Sequence, residues 1–130
     1  MKLETLNKNA EFYIASLALG VLEGMQQGVI SPEAGIWSLA RPSFSNEVLK
    51  STIISDDLKY VIACFDEIDA LSSFDGGEVR QQQMINELKE KCLRCLKVID
   101  YKNIEPYRVC RRVNILRDYP DDKTKLYPRN

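Results

Sequence analysis

The longest periodic segment of the sequence runs from Glu78 to about Tyr101 and predicts a long amphipathic helix. Its apolar side chains recur at intervals of three and four, with charged residues between them; they are Ile85, Leu88, Cys92, Cys95, Leu96 and Ile99. These intervals place side chains on one helix face, whereas a half-buried strand requires strict alternation. A chain with such a helix must bury its apolar face against other elements, which favours a helical bundle.

The first helix is predicted from Asn9 to Gln27, and it is apolar on more than one face between Phe12 and Leu22. A helix that is apolar nearly all round is usually buried between neighbours. We therefore expect it to be the central helix, with the segment from Ile85 to Ile99 packed along it. Gly20 and Gly24 are four residues apart, which would let a neighbouring helix approach closely.

Residues that favour helix ends predict three more helices between these two. The second helix spans Pro32 to Leu39, the third runs from Asn46 to about Lys50, and the fourth follows Ser55. Gly28 suits the left-handed end of the first helix, and a serine precedes each of the other helices as its N-cap. The buried stripe predicted for the fourth helix consists of Leu58, Val61, Ile62, Phe65 and Ile68.

The region after Lys102 is less regular and allows two interpretations. Its apolar residues fit a helix beginning near Pro106, but the alternation of Val109, Arg111, Val113 and Ile115 fits a strand. We predict a helix. Residues 118–130 are predicted to be a turn and a polar tail, so residues 1–117 form the helical domain. The sequence thus predicts an all-α fold: a compact, single-domain bundle of five to six helices.

The composition argues against most enzymes and against a membrane protein. Histidine is absent from the 130 residues, which removes the commonest general base and the commonest transition-metal ligand. The apolar stretch from Phe12 to Leu22 is too short to span a bilayer, and Glu4 and Glu11 precede it, unlike a secretory signal. We expect a cytoplasmic protein that is not an enzyme and needs no cofactor.

Four cysteines have two interpretations. Cys92 and Cys95 have the spacing of a metal or redox pair, and a zinc site would also recruit Cys64 and Cys110. However, Cys92 and Cys95 lie on the apolar stripe of the long predicted helix, where free cysteine behaves as a small hydrophobic residue. We predict that all four thiols are reduced and bind no metal.

Charge is distributed very unevenly along a chain whose net charge is −1. Residues 55–79 carry one Lys or Arg against seven Asp or Glu, a net charge of −6, while residues 80–130 carry thirteen against seven, a net charge of +6. The two regions either neutralise each other within the fold or face partners of opposite charge. The predicted partner-binding residues are the acidic ones: Asp56, Asp57, Asp66, Glu67, Asp69, Asp75 and Glu78.

Other functions for these charged residues have less support. Asp66, Glu67 and Asp69 resemble paired carboxylates for acid–base catalysis or metal binding, but they also fit an ordinary solvated helix face. The basic region could contact phosphate, yet no aromatic ladder or recognition motif accompanies its arginines, so we do not expect nucleic-acid binding. These arginines are Arg108, Arg111, Arg112 and Arg117.

Three segments of the sequence resemble a small uncharacterised bacterial all-helical family. They are Leu19 to Ala34 (LGVLEGMQQGVISPEA), Ile54 to Leu58 (ISDDL) and Asp66 to Leu71 (DEIDAL). Members of that family look like immunity proteins of toxin systems such as contact-dependent growth inhibition. The resemblance implies a protein that binds a cognate toxin domain, basic and with nuclease activity, and blocks its active-site surface. The alternative is a non-catalytic helical adaptor or regulatory protein.

Overall fold

The computed structural model describes residues 2–102 and 112–114, and the described part is built mainly from α-helices. The all-α prediction is confirmed, and the described helices number five. Two single-turn 3-10 helices, Asn7–Asn9 and Leu71–Ser73, accompany them. The elements in chain order are β1 (Lys2–Glu4), α1 (Ala10–Gln26), α2 (Pro32–Leu39), α3 (Pro42–Lys50), α4 (Asp56–Ala70), α5 (Gly77–Lys97) and β2 (Arg112–Asn114).

The predicted end signals of α1, α2 and α4 are confirmed. Gly28, just after α1, has a left-handed φ of +76°. The side-chain oxygen of Ser31 accepts a hydrogen bond of 3.1 Å from the backbone N–H of Ala34, and Ser55 accepts one of 3.3 Å from Leu58. Each serine thereby satisfies a backbone donor that has no partner within its helix.

The third helix begins earlier than predicted, at Pro42 rather than Asn46. Arg41 is extended, with ψ of 137°, as expected for a residue before proline. Pro42 occupies the first helical position, where its fixed φ is suitable and its missing N–H costs nothing. Ser45 therefore lies inside the helix and does not cap it. The longer helix brings Phe44 to the hydrophobic core.

The last long helix is confirmed, but it ends at Lys97 rather than Tyr101. Beyond this point the carboxylate of Asp100 accepts a hydrogen bond of 3.1 Å from the backbone N–H of Lys102, and the Tyr101 hydroxyl donates one of 2.7 Å to the Leu96 carbonyl. A short acidic side chain that bonds the nearby backbone competes with helical hydrogen bonding.

The helix predicted after Pro106 is wrong at residues 112–114, which form β2. This strand pairs antiparallel with β1, and Val113 stands opposite Leu3. The partner strand comes from the other end of the sequence, so local periodicity could not reveal it. The remaining residues of this prediction, and the predicted tail at 118–130, lie outside the described residues.

The central helix is α4, and the prediction that α1 occupies the centre is wrong. Helix α4 contacts all four other helices, whereas α1 leaves Leu17 exposed. The hydropathy of α1 does not show how many neighbours the fold places around it. The two glycines also do not bring a neighbouring helix close. Gly24 accommodates Ile30 from the following turn, and no described atom outside the adjacent part of α1 lies within 4 Å of the Cβ position at Gly20. The buried residues of α4 are Leu58, Val61, Ile62, Cys64, Phe65 and Ile68.

Helix α5 runs antiparallel to both α1 and α4. Its contact with α1 agrees with the predicted packing and includes a hydrogen bond of 2.7 Å from Gln26 Nε2 to Asn86 Oδ1. Along α4, Asp57 lies 3.5 Å from Lys91, and the Ile68 carbonyl accepts a hydrogen bond from α5. Consequently α4 and α5 form a helical hairpin that closes at residues 71–76. Among the described residues, no helix combines the length and apolar composition needed to cross a bilayer.

Glu23 connects α1 to α5 and provides a pH-dependent test of this packing. Its carboxylate accepts hydrogen bonds from Lys89 and Gln27, which lower the Glu23 pKa below its ordinary value of 4.5. Folding therefore favours the ionised form, so this contribution to stability is present above the ordinary pKa and is lost as pH falls. We expect Glu23→Gln to be less stable than the wild type at about pH 7, and the difference to narrow at about pH 3.

The measurement is urea unfolding of both proteins at the two pH values, followed by circular dichroism. Glu90→Gln on the exposed side of α5 is the matched control and should show a smaller difference. A stability difference for Glu23→Gln that does not change with pH would contradict the assigned role of the ionised carboxylate.

Candidate functional site

The structure divides the seven predicted partner-binding residues between the two ends of α4. Asp56 and Asp57 lie at its N-terminus, while Asp66, Glu67 and Asp69 lie within its last five residues. The 15-residue helix separates its ends by about 22 Å. Asp75 and Glu78 follow in the turn and the first residues of α5. The predicted acidic surface is therefore not continuous.

Asp56 and Asp57 have a structural explanation. Carboxylates in the first turn of a helix interact favourably with the positive end of its dipole. Asp57 also lies 3.5 Å from Lys91 and 3.8 Å from Arg94, both on α5. These contacts neutralise Asp57 within the protein, and here the acidic and basic regions of the sequence do meet each other.

The other five carboxylates form what we call the acidic tip, at the closed end of the α4–α5 hairpin. The sequence has no Lys or Arg between positions 60 and 79. Asp69 is half-buried and the other four are exposed, and none of the five forms an ion pair with another described residue. Within residues 2–102 and 112–114, the tip therefore presents negative charge to solvent without a paired cation. Its members are Asp66, Glu67, Asp69, Asp75 and Glu78.

Three of the tip residues occupy positions that are unfavourable for the helix itself. Asp66, Glu67 and Asp69 lie near the negative end of the α4 dipole, and the last turn of α4 contains no basic residue. A cation at this end would stabilise the helix by about 0.3–1 kcal/mol, whereas a carboxylate does not. Helix stability therefore does not explain these residues.

The backbone of the tip is held in place by hydrogen bonds. Ser72 Oγ donates to the Asp69 carbonyl at 2.6 Å, and the Gly77 N–H donates to the Phe74 carbonyl at 2.9 Å. From α5, Gln81 Nε2 donates to the Ile68 carbonyl at 2.7 Å. These bonds fix the backbone positions that carry the acidic side chains, so the backbone of the acidic tip is preorganised.

Two large apolar side chains are exposed in this region, one in the turn and one in the first turn of α5. Phe74 is 65% exposed and Val79 is 64% exposed. Exposed aromatic residues surrounded by polar groups are typical of protein-binding surfaces, where they fill pockets of the partner. Neither exposure has a periodic signal in the sequence. Phe74 lies in the turn between α4 and α5, and Val79 lies in the first turn of α5.

A second exposed aromatic lies on α2, outside the acidic tip. Trp37 is 60% exposed, and the guanidinium carbon of Arg41 lies 4.2 Å from the centre of its ring. Sequence reasoning assigned no role to this pair. Its only sequence signal is composition, since Trp and Arg are the residue types most enriched among energetically important interface residues.

Three of the cysteines are buried in the core as free thiols: Cys64, Cys92 and Cys95. Burial raises the pKa of Cys92 to about 12, and burial is also the main cause of the raised pKa of Cys64 and Cys95. In the described part of the chain, no three His, Cys, Asp or Glu side chains converge to hold a metal ion. Cys110 lies outside the described residues.

We expect Cys92 to resist thiol reagents while the protein is folded, because a thiol with a pKa of about 12 supplies almost no thiolate at about pH 8. The measurement uses a Cys110→Ser variant and an aromatic disulfide reagent, with and without urea. Cys92 should be labelled only in urea. Rapid labelling in the folded protein would contradict its burial, and stoichiometric zinc in protein purified without added metal would overturn the prediction of metal-free thiols.

Cys95 also lies in a polar cluster, which is the best candidate for nucleophilic chemistry among the described residues. Its sulfur is 3.6 Å from Ser55 Oγ, and Glu11 accepts hydrogen bonds from both the N–H and the hydroxyl of Ser55. A nucleophilic cysteine needs a lowered pKa and access to solvent, whereas Cys95 is buried and its pKa is raised. The cluster joins α1, α4 and α5, and its geometry suits structural support.

The fold and this surface define a small all-α protein with an exposed acidic tip. The chain belongs to DUF3969, a family of proteins of unknown function whose family model matches residues 5–110. Comparison with curated proteins and with solved structures finds no significant match.

Proposed function

We propose that this protein is an immunity protein that neutralises a cognate bacterial toxin, a nuclease, by covering its active-site surface with the acidic tip. The observation that carries the proposal is that residues 66–78 carry five carboxylates and the exposed Phe74, in a segment without any Lys or Arg. This surface requires no chemistry of its own, in agreement with the absence of histidine.

Charge complementarity supports a nuclease as the target. Enzymes that bind nucleic acid present Lys and Arg side chains to the phosphate backbone, so their substrate-binding surfaces attract negative charge. Carboxylates at the acidic tip would occupy the same positive surface and exclude the substrate. Long-range attraction would also accelerate association, and this acceleration would fall as salt concentration rises.

Phe74 and Val79 would supply the part of the interaction that charge alone does not. Exposed ion pairs contribute little to affinity, since the charges lose hydration when they meet. An aromatic side chain that enters an apolar pocket contributes more and slows dissociation. We therefore expect Phe74→Ala to increase the dissociation rate of the toxin complex more than its association rate.

A non-catalytic adaptor is the second candidate, and one observation favours it. Trp37 on α2 and Arg41, the residue before α3, form an exposed aromatic–cation pair outside the elements that carry the acidic tip. An adaptor needs two binding surfaces, whereas an immunity protein needs one. Trp37→Ala should leave protection against a toxin intact if this protein is an immunity protein.

The deciding experiment pairs the tagged protein with the toxin domain encoded by a neighbouring gene. Co-purification is followed by a growth assay in cells that express the toxin domain. Formation of a complex and rescue of growth would support the immunity function. Failure to bind any neighbouring toxin would reject it and leave the adaptor as the better interpretation.

A further inference from the structure

The small sheet formed by β1 and β2 is the starting point for an inference independent of the acidic tip. Each strand has three residues, and within residues 2–102 and 112–114 the sheet contains no third strand. An isolated two-stranded sheet is only marginally stable in water, and its unpaired edges can accept another strand.

Side chains on both faces of this sheet are exposed. Leu3 stands opposite Val113, and these side chains are 47% and 54% exposed. At the next register position the exposed residues Glu4 and Arg112, which carry opposite charges, stand opposite each other. The sheet therefore offers an apolar position beside a charged one.

We propose that β1 pairs antiparallel with β1 of a second copy of this chain, about a twofold axis at Leu3. The product is a four-stranded sheet in the order β2–β1–β1–β2. A twofold axis makes the same surface meet itself, as in most homodimers. Addition of a strand to an exposed edge is a common way for proteins to associate.

The sequence of β1 is complementary to itself in this arrangement. Antiparallel pairing centred on Leu3 places Lys2 of each copy opposite Glu4 of the other, and Leu3 opposite Leu3. Charges then alternate across the sheet from Arg112 to Glu4 to Lys2 of the second copy. Pairing through the β2 edge instead would place Arg112 opposite Asn114, which gives no charge pair.

Four Leu and Val side chains then form one apolar row across the four strands, which explains why Leu3 and Val113 are exposed in a single copy. Cross-strand pairs of opposite charge stabilise a sheet, and like charges destabilise it. Because the strands are short, the contact is small and the association is weak. Its detection therefore requires concentrated protein.

The test uses two variants. Each variant places like charges opposite each other in its own homodimer, whereas a mixed dimer of the two places opposite charges together. Lys2→Glu places Glu opposite Glu in a homodimer. The double variant Glu4→Lys/Arg112→Glu places Lys opposite Lys, while its own β1–β2 pair keeps opposite charges. Mixed together, the two variants again place Glu opposite Lys at both positions. Sedimentation equilibrium of each protein and of the equimolar mixture, at low salt, measures association.

We expect the wild type to dimerise, each variant alone to have a dissociation constant at least about tenfold higher, and the mixture to recover dimers. Circular dichroism should show unchanged helix content in all three proteins. The proposal is overturned if the concentrated wild type is monomeric, if the variants dimerise as well as the wild type, or if the mixture does not recover dimers.

Discussion

Replacement of Gly77 by alanine is expected to destabilise the protein by about 3 kcal/mol or more, because the new methyl group has no space. A Cβ at Gly77 would lie 1.7 Å from the carbonyl oxygen of Leu71 and 2.9 Å from its carbonyl carbon. Both are backbone atoms of the turn that joins α4 to α5, so no side chain can move aside. The turn would have to open and lose the hydrogen bond from Gly77 to Phe74.

The matched control is Gly20→Ala in the middle of α1. Apart from Gly20, its chain neighbours and the nearby backbone of α1, no described atom lies within 4 Å of the Cβ position there, so alanine should stabilise the protein by about 1 kcal/mol through its higher helix propensity. Both substitutions restrict the unfolded chain equally, which isolates the effect in the folded state. Urea unfolding followed by circular dichroism measures the two free energies. If the Gly77→Ala variant has the same free energy of unfolding as the wild type, the turn is not closely packed.

Reversal of Asp66, Glu67 and Asp69 to lysine is expected to weaken binding to the proposed toxin partner by about 3 kcal/mol or more, because like charges across an interface are costly. The same variant should fold with equal or higher stability, since the new cations lie at the negative end of the α4 dipole. The association rate should fall strongly and lose its dependence on salt. Kinetic binding measurements and thermal unfolding distinguish lost binding from lost folding.

The control for this variant changes the net charge equally but elsewhere on the surface. Glu33, Glu47 and Glu90 are exposed acidic residues on α2, α3 and α5. Their reversal to lysine should lower the association rate only through the general loss of electrostatic attraction, and it should have a small effect on the dissociation rate. Equal effects of the two triple variants, or no effect of the first, would remove the acidic tip from the proposed interface.

The helices and most of their ends could be predicted because the relevant interactions are local. Ser31 and Ser55 bond backbone groups three residues ahead, and Gly28 adopts a conformation that other residues resist. The third helix was misjudged because two local signals competed. Ser45 is a good N-cap, but Pro42 already fixes the helical backbone three residues earlier.

The charge environment of the acidic residues could not be predicted from the local sequence. The sequence correctly identifies the segment around Asp66 as acidic. However, the net charge of residues 55–79 does not distinguish Asp57 from Asp66, so both were predicted to lie on one surface. In the fold, α5 places Lys91 and Arg94 beside Asp57, whereas no described Lys or Arg forms an ion pair with Asp66. Among the described residues, the pairing of α4 with α5 determines which of these carboxylates is neutralised.

The sequence by itself determined that the chain is helical, where its capped helices begin and that its cysteines suit a core, because periodicity and caps act over three or four residues. The tertiary structure decided that α4 rather than α1 is central, that Phe74 is exposed and that residues near 113 pair with residues near 3. These outcomes depend on contacts between residues far apart in the chain. Such contacts depend on how the helices pack together, which the pattern of any single helix does not specify.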